Sequence, residues 1–327
     1  MKKLPIILIS LLLACSSGTS NKKETTVDEP VINTNSNTSS SVIVPNKSIV
    51  EQLKEKRDLY LSLIPEIQDD DGFMEPNDCD TLLWNGLLGA SGVSGIDIKA
   101  SRNENGQWFR RPSKDCYSKD EAGSTISRDM IMGLLWYVWK NKELKLAEEL
   151  YKYGSDNLWS MGEGNEEDGL DRYVMSPLLI GTLSLIIEKL GGESHLYSYT
   201  PEIWNTDHLG YRAHLTVIHI LLRADVQGEI EDSEIDDLKK LLDKDPKNPL
   251  FQAAYHLYTD GNQTKAIVEL LENTSIWPKD RLPTNQDRCE RWPVQREYTD
   301  KVFNPCDEEK LFAGGGLLFI YQLILGN

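Results

Sequence analysis

The sequence predicts an all-α domain of antiparallel helical hairpins, arranged as an α/α toroid or part of one. Strand signals are scarce, whereas apolar residues recur at helical spacing along most of the chain. Segments 127–141 and 178–190 are apolar on nearly every side. Segments 143–157 and 233–242 have one apolar face and a charged face opposite it. This alternation, on short turns, indicates inner helices surrounded by outer ones.

Turn and capping residues separate the helical segments. Pro65 ends the first segment, and Ser176 followed by Pro177 is typical of an N-cap and a first helical residue. The stretch 89–117 is irregular, and Asn105 with Gly106 predicts a small hairpin there. The predicted helices are 49–64, 80–88, 127–141, 143–157, 178–190, 207–224, 233–242, 248–259, 263–272 and 307–325.

The first 14 residues have the pattern of a secretory signal peptide, with two lysines before a short apolar run. The run Leu12–Leu13–Ala14–Cys15 resembles the lipobox of bacterial lipoproteins. That resemblance implies cleavage before Cys15 and acylation of this residue, palmitate included, so that the mature protein is held at the lipid bilayer. Because Ser16 and not Asp follows, it also implies the outer membrane. The alternative is an ordinary signal peptide with a chance cysteine.

Residues 15–47 form a tether rich in Ser, Thr and Asn, which contains too little apolar surface to fold by itself. Residues 48–327 then form a single helical domain. The chain has 52 acidic and 35 basic residues and a formal net charge of −17, which argues against nucleic acid as a partner. No P-loop, GxGxxG or GxSxG motif is present, so the sequence predicts no cofactor.

Four cysteines follow Cys15, and an even number in an exported protein indicates disulfides. Three pairings exist. We favour Cys79–Cys116 with Cys289–Cys306, because each bridge closes a long irregular segment. Zinc is the weaker alternative, since no CxxC spacing and no neighbouring histidine accompany these cysteines. We therefore expect no metal site.

Polar clusters precede the inner helices. Inner helices of a hairpin repeat start at one end of the bundle, so these clusters are expected around one shared mouth. The alternative is that such residues merely cap helices. The candidate catalytic acids are Asp80, Asp129 and Asp171, and the candidate ligand-binding residues beside them are Asp78, Arg128, Arg172 and His208.

Aromatic and arginine side chains in the connecting loops are expected to line a ligand-binding cleft at this mouth. Flat rings beside acids and arginines suit a carbohydrate, although such rings can also pin loops onto a core. The residues are Trp108, Arg111, Trp159, Trp204 and Trp292. By contrast, His214 and His219 lie in an apolar helix at a spacing unlike HExxH, which favours core or groove positions over metal ligation.

The stretch Ser127–Arg128–Asp129–Met130, with Gly133–Leu134–Leu135, Asn141–Lys142–Glu143 and Ala147–Glu148 after it, is similar to a helical hairpin of α/α-toroid glycosidases and polysaccharide lyases. The similarity covers about thirty residues and implies a fold more than a reaction. Three functions therefore stay open. They are a carbohydrate-active toroid (glycoside hydrolase or polysaccharide lyase), a non-catalytic glycan- or peptide-binding lipoprotein, and an α-solenoid scaffold.

Overall fold

The computed structural model describes residues 47–70, 72–74, 80–114, 126–163, 172–193, 206, 210–283 and 315–326. This part of the chain is mainly helical, as predicted. Its helices are α1 Ile49–Leu63, α2 Thr81–Ala90, α3 Arg128–Lys140, α4 Leu144–Asp156, α5 Pro177–Lys189, α6 Tyr211–Gln227, α7 Asp232–Lys244, α8 Pro249–Leu257, α9 Thr264–Glu272 and α10 Gly315–Leu325. The predicted signal peptide, nearly all of the tether and the five cysteines lie outside the described residues.

Several helix ends follow from local capping chemistry. Ser48 and Glu51 form a reciprocal capping box at the start of α1. Ser176 accepts a hydrogen bond from the backbone of Leu179, and Pro177 is the first residue of α5, as predicted. Asn248 caps α8 in the same way, and Gly228 ends α6 in the left-handed conformation.

Five largely buried helices pack against one another in a cycle of neighbours. Helix α2 contacts α3 and α10, α3 contacts α6, α6 contacts α8, and α8 contacts α10. Trp136 of α3 is buried among them. Its ring lies edge-on to Phe319 of α10 at 4.9 Å, and its Nε1 donates to the carbonyl of Ile218 in α6 at 3.0 Å. Helices α1, α4, α7 and α9, which have charged faces, pack around this group.

Helices α2 and α3 cross with almost no side chain between them. A Cβ on Gly86 would lie 2.3 Å from the carbonyl carbon of Gly133, and one on Gly133 would lie 2.5 Å from the Cα of Leu83. Further along, Gly89 packs under the ring of Tyr137. Residue numbers therefore rise together along both helices, so α2 and α3 run parallel and begin at the same end.

Two short β elements accompany the helices in the described part of the chain. The hairpin predicted around Gly106 is confirmed, since Arg102 and Trp108 form an antiparallel bridge. A second hairpin was not predicted: β1 Ser160–Glu163 pairs antiparallel with β2 Arg172–Val174. Strands of four and three residues are too short to display an alternating pattern. No helix among the described residues is both long and apolar enough to span a membrane.

Candidate functional site

The structure describes the side chains of six predicted site residues. They are Asp80, Trp108, Arg111, Arg128, Asp129 and Trp159. Arg172 is described only as a backbone position in β2. The predicted site residues that lie outside the described part of the chain are Asp78, Asp171, Trp204, His208 and Trp292, together with Cys15, Cys79, Cys116, Cys289 and Cys306.

Asp80 immediately precedes α2, yet its side chain makes no capping hydrogen bond to that helix. Instead its Oδ1 accepts from Nη1 of Arg110 at 2.9 Å, and both side chains are buried, with exposed fractions of 6% and 10%. The backbone carbonyl of Arg110 also accepts from the amide of Leu82 at 2.8 Å. The irregular segment that contains Arg110 is thereby tied to the start of α2. Asp80 is thus part of a buried ion pair and not a simple N-cap.

Asp129, in the first turn of α3, is also buried, with 5% of its surface exposed. Its carboxylate accepts a short hydrogen bond from the hydroxyl of Ser127. Ser127 occupies the N-cap position but makes no capping hydrogen bond of its own. The hydroxyl that would ordinarily cap the helix therefore serves the carboxylate.

Both acids lie at the same end of a parallel helix pair. Asp80 lies three residues before Leu83, and Asp129 lies four residues before Gly133, at the point where the two helices touch. Each acid is therefore about one helical turn ahead of the contact. We call Asp80, Arg110, Arg128, Asp129 and Tyr173 the acidic end.

Tyr173 of β2 brings the second hairpin to this end. Burial raises the pKa of its phenol, the Asp129 carboxylate raises it further, and the Arg128 guanidinium opposes both. Its hydroxyl is buried, and within the described part of the chain it has no hydrogen-bond partner. Arg128 is exposed, so the accessible surface of the acidic end combines this cation with the partly exposed Ser127 and Tyr173.

His219 of α6 is buried behind the acidic end. Its Nε2 lies 3.2 Å from Oγ1 of Thr182, and that hydroxyl already donates to the carbonyl of Leu178 at 2.9 Å. Nε2 must therefore be the donor, so the proton of the neutral ring lies on Nε2. Burial and the nearby Arg128 lower the pKa of His219 to about 3, which keeps the ring neutral near pH 7.

Two tryptophans predicted to bind ligand, Trp108 and Trp159, are not fully exposed. Trp108 has an exposed fraction of 0% and belongs to the core, so it offers no ring face to a ligand. Trp159 is half-buried, lies edge-on to Tyr151 at 5.0 Å and covers Gly154. Trp108 therefore anchors its segment in the core, as the alternative interpretation had it, whereas Trp159 stays partly exposed. Arg111 is half-buried on the segment next to Arg110.

Sequence reasoning did not identify Arg110, Tyr173 and Thr182 as part of this region. Arg110 adjoins the predicted Arg111, and Tyr173 adjoins the predicted Arg172. The sequence therefore indicated the correct segments but singled out the adjacent residue in each. Nothing in the sequence distinguishes Thr182 from other polar residues of α5. No group of three or more His, Cys, Asp or Glu side chains able to hold a metal occurs among the described residues.

No family model matches this chain, and no curated protein or solved structure matches it either. The function must therefore be argued from the acidic end itself.

Proposed function

We propose that this chain is a lipoprotein anchored through acylated Cys15 and that its helical domain binds carbohydrate at the acidic end. The observation that carries the binding proposal is the position of Asp80 and Asp129. They are buried at the same end of a parallel helix pair, and the side chain of Asp80 makes no capping hydrogen bond to α2.

The charges at the acidic end suit a ligand rich in hydroxyl groups. Arg128 offers exposed donors, and its planar guanidinium can meet a carboxylate of an acidic sugar with two parallel hydrogen bonds. The partly exposed Tyr173 lies beside Arg128. The partly exposed hydroxyl oxygen of Ser127 can accept from a sugar hydroxyl, and the buried Asp129 carboxylate orients that hydroxyl by accepting its hydrogen bond. The Asp80–Arg110 pair holds the irregular segment to the start of α2.

Hydrolysis is a second outcome of the same geometry. Glycosidases need two carboxyl groups about 5–10 Å apart. Asp80 and Asp129 each lie about one helical turn before the contact of α2 with α3, which places them at one end of the pair. The full proposal therefore includes cleavage of the bound glycan if these two acids act as a pair.

The finer architecture belongs to this proposal as well. The cycle formed by α2, α3, α6, α8 and α10 supports an α/α toroid or a partial one, with the acidic end on its mouth. The disulfides Cys79–Cys116 and Cys289–Cys306 are part of the proposal too. Peptide mapping without reduction should recover these two bridges, and stoichiometric zinc or free thiols would contradict them.

The decisive experiment is a glycan array with the purified full-length protein, followed by titration of each glycan that binds. Arg128→Gln and Asp129→Asn should each weaken binding about tenfold or more, since each removes a charged hydrogen bond. Lys152→Gln changes an exposed cation on α4 and is the matched control. Absence of any bound glycan, or equal affinity in all four proteins, would overturn the proposal. Release of reducing sugar would separate hydrolysis from binding.

The anchor is tested separately. Metabolic labelling with a fatty acid should mark the protein, and Cys15→Ser should remove the label and the membrane retention. Acyl labelling that persists in Cys15→Ser would contradict the lipobox assignment without affecting the glycan result.

A further inference from the structure

Lys56 of α1 is a lysine held inside the protein. Only 7% of its surface is exposed. Its Nζ donates to the carbonyl of Leu270 in α9 and to the carbonyl of Trp277 in the following segment, both at 2.6 Å. An ammonium group has three N–H donors, so these two bonds leave one donor available. Lys56 thus joins α1 to α9 and keeps some hydrogen-bonding capacity.

A cleft of about 330 Å³ opens beside this ammonium group. It contains a second lysine, Lys279, and a third charged residue, Glu55. Glu55 is already paired with Lys47 at 2.5 Å. The positive charge of the cleft is therefore only partly balanced, on a chain whose formal net charge is −17. The lining residues are Gln52, Glu55, Lys56, Leu59, Leu271 and Lys279.

The pKa of Lys56 is affected by its burial and by the neighbouring lysine. Burial and, secondarily, the charge of Lys279 lower its pKa to about 8. Burial disfavours the ammonium form of Lys56, and the positive charge of Lys279 repels it. A negative group placed between the two lysines would relieve the repulsion.

We propose that the cleft binds a small organic anion, a carboxylate on a short apolar chain. The carboxylate lies between the amino groups of Lys56 and Lys279, and the apolar chain lies along Leu59 and Leu271. The volume is at the lower end of the range of about 300–1,000 Å³ for small-molecule sites, which favours a small ligand. This site uses α1 and α9, so it is independent of the acidic end.

The test is calorimetric titration of the purified full-length protein with hexanoate, hexanol and inorganic phosphate. Hexanoate should bind, hexanol should bind at least about tenfold more weakly because it lacks the charge, and phosphate should also be weaker because it lacks the chain. No hexanoate binding at millimolar concentration would overturn the proposal, as would equal affinity for hexanol. Tighter binding of phosphate would overturn the assignment of an apolar chain.

Variants identify the site. Lys279→Met should weaken hexanoate binding about tenfold, because it removes one of the two cations that hold the carboxylate. Lys279 is exposed, so this substitution should leave the fold intact. Lys54→Met changes another exposed lysine of α1 outside the cleft and should leave the affinity unchanged. If both variants bind as the original protein does, hexanoate binds elsewhere and the proposal is wrong.

A second measurement follows Lys56 without replacing it. The pH at which its amine becomes reactive toward an acylating reagent, read by mass spectrometry, should increase when hexanoate is present, because a bound anion stabilises the ammonium form. An unchanged reactivity profile at saturating hexanoate would place the anion away from Lys56 and contradict the proposed contact.

Discussion

Gly86 of α2 and Gly133 of α3 touch through their backbones, since a Cβ on Gly86 would lie 2.3 Å from the carbonyl atoms of Gly133. Gly133→Ala would place its methyl group 2.5 Å from the Cα and carbonyl oxygen of Leu83. Backbone atoms in two packed helices cannot move aside cheaply. We expect a loss of about 3 kcal/mol or more in the free energy of unfolding, measured by urea denaturation.

Gly89→Ala is the matched control for this prediction. Its added methyl group would meet the side-chain ring of Tyr137 at 2.5 Å, and no backbone. That ring is half-buried and can rotate away, so the destabilisation should be smaller. Equal effects of the two substitutions would contradict the claim that backbone contact between α2 and α3 makes Gly133 the less tolerant position.

The ion pair of Asp80 with Arg110 gives a second prediction. Arg110→Met leaves a buried carboxylate without this cation, which should destabilise the fold by about 3–5 kcal/mol. The double variant Asp80→Leu with Arg110→Met removes both charges and should recover much of that loss. Lys152→Met breaks the exposed pair with Asp156 and should change stability by less than about 1 kcal/mol. A double variant less stable than the single one would contradict this account of the pair.

Much of the helical fold could be predicted because it depends on local patterns. Apolar spacing located the segments that became helices, and capping residues such as Ser176 fixed some of their ends. The hairpin at Gly106 followed from a turn signal in the same way. Each of these signals lies within a few residues of the element that it predicts.

Contacts between residues distant in the sequence could not be predicted. Nothing near Trp108 reveals that its ring is enclosed in the core, and nothing near Asp80 reveals a partner thirty residues away in Arg110. Capping was the alternative for Asp80, whose side chain makes no capping hydrogen bond and pairs with Arg110 instead. The parallel course of α2 and α3 was expected from the hairpin arrangement, but its cause, the contact of two glycines, was not visible in the sequence.

His219 should make the domain sensitive to acid. Burial and Arg128 lower the pKa of His219 to about 3 in the folded protein, against about 6.5 in an unfolded chain. Between these values the unfolded chain binds more protons, so the free energy of unfolding falls as the pH falls from about 6.5. His219→Gln keeps a donor for Thr182 and removes the titration.

The measurement is urea unfolding of the original protein and His219→Gln at several pH values below about 6.5. The stability of the original protein should fall more steeply, by up to about 1.4 kcal/mol per pH unit. His256→Gln is the control, because that histidine pairs with the exposed Asp260 on the surface. Parallel stability curves for the original protein and His219→Gln would show that His219 is protonated without unfolding.

Lys56 should produce the opposite dependence at alkaline pH. Its pKa is about 8 in the folded protein, chiefly because of burial and secondarily because of Lys279. The value in an unfolded chain is about 10.4. Above pH 8 the unfolded chain binds more protons at this position, so folding becomes more favourable as the pH rises to about 10.5. The other charged groups at the cleft are Glu55 and its partner Lys47.

The contribution of Lys56 is isolated by comparing the original protein with Lys56→Met at each pH. Lys56→Met leaves the carbonyls of Leu270 and Trp277 without their donor at every pH. The informative quantity is therefore how the difference in the free energy of unfolding changes with pH, not its absolute size. The original protein should gain up to about 3 kcal/mol relative to the variant between about pH 8 and about pH 10.5. Lys54→Met, on the exposed side of α1, should show no such change. A difference that stays constant over this range would mean that Lys56 keeps an ordinary lysine pKa in the folded protein, so that neither burial nor Lys279 disfavours its ammonium form.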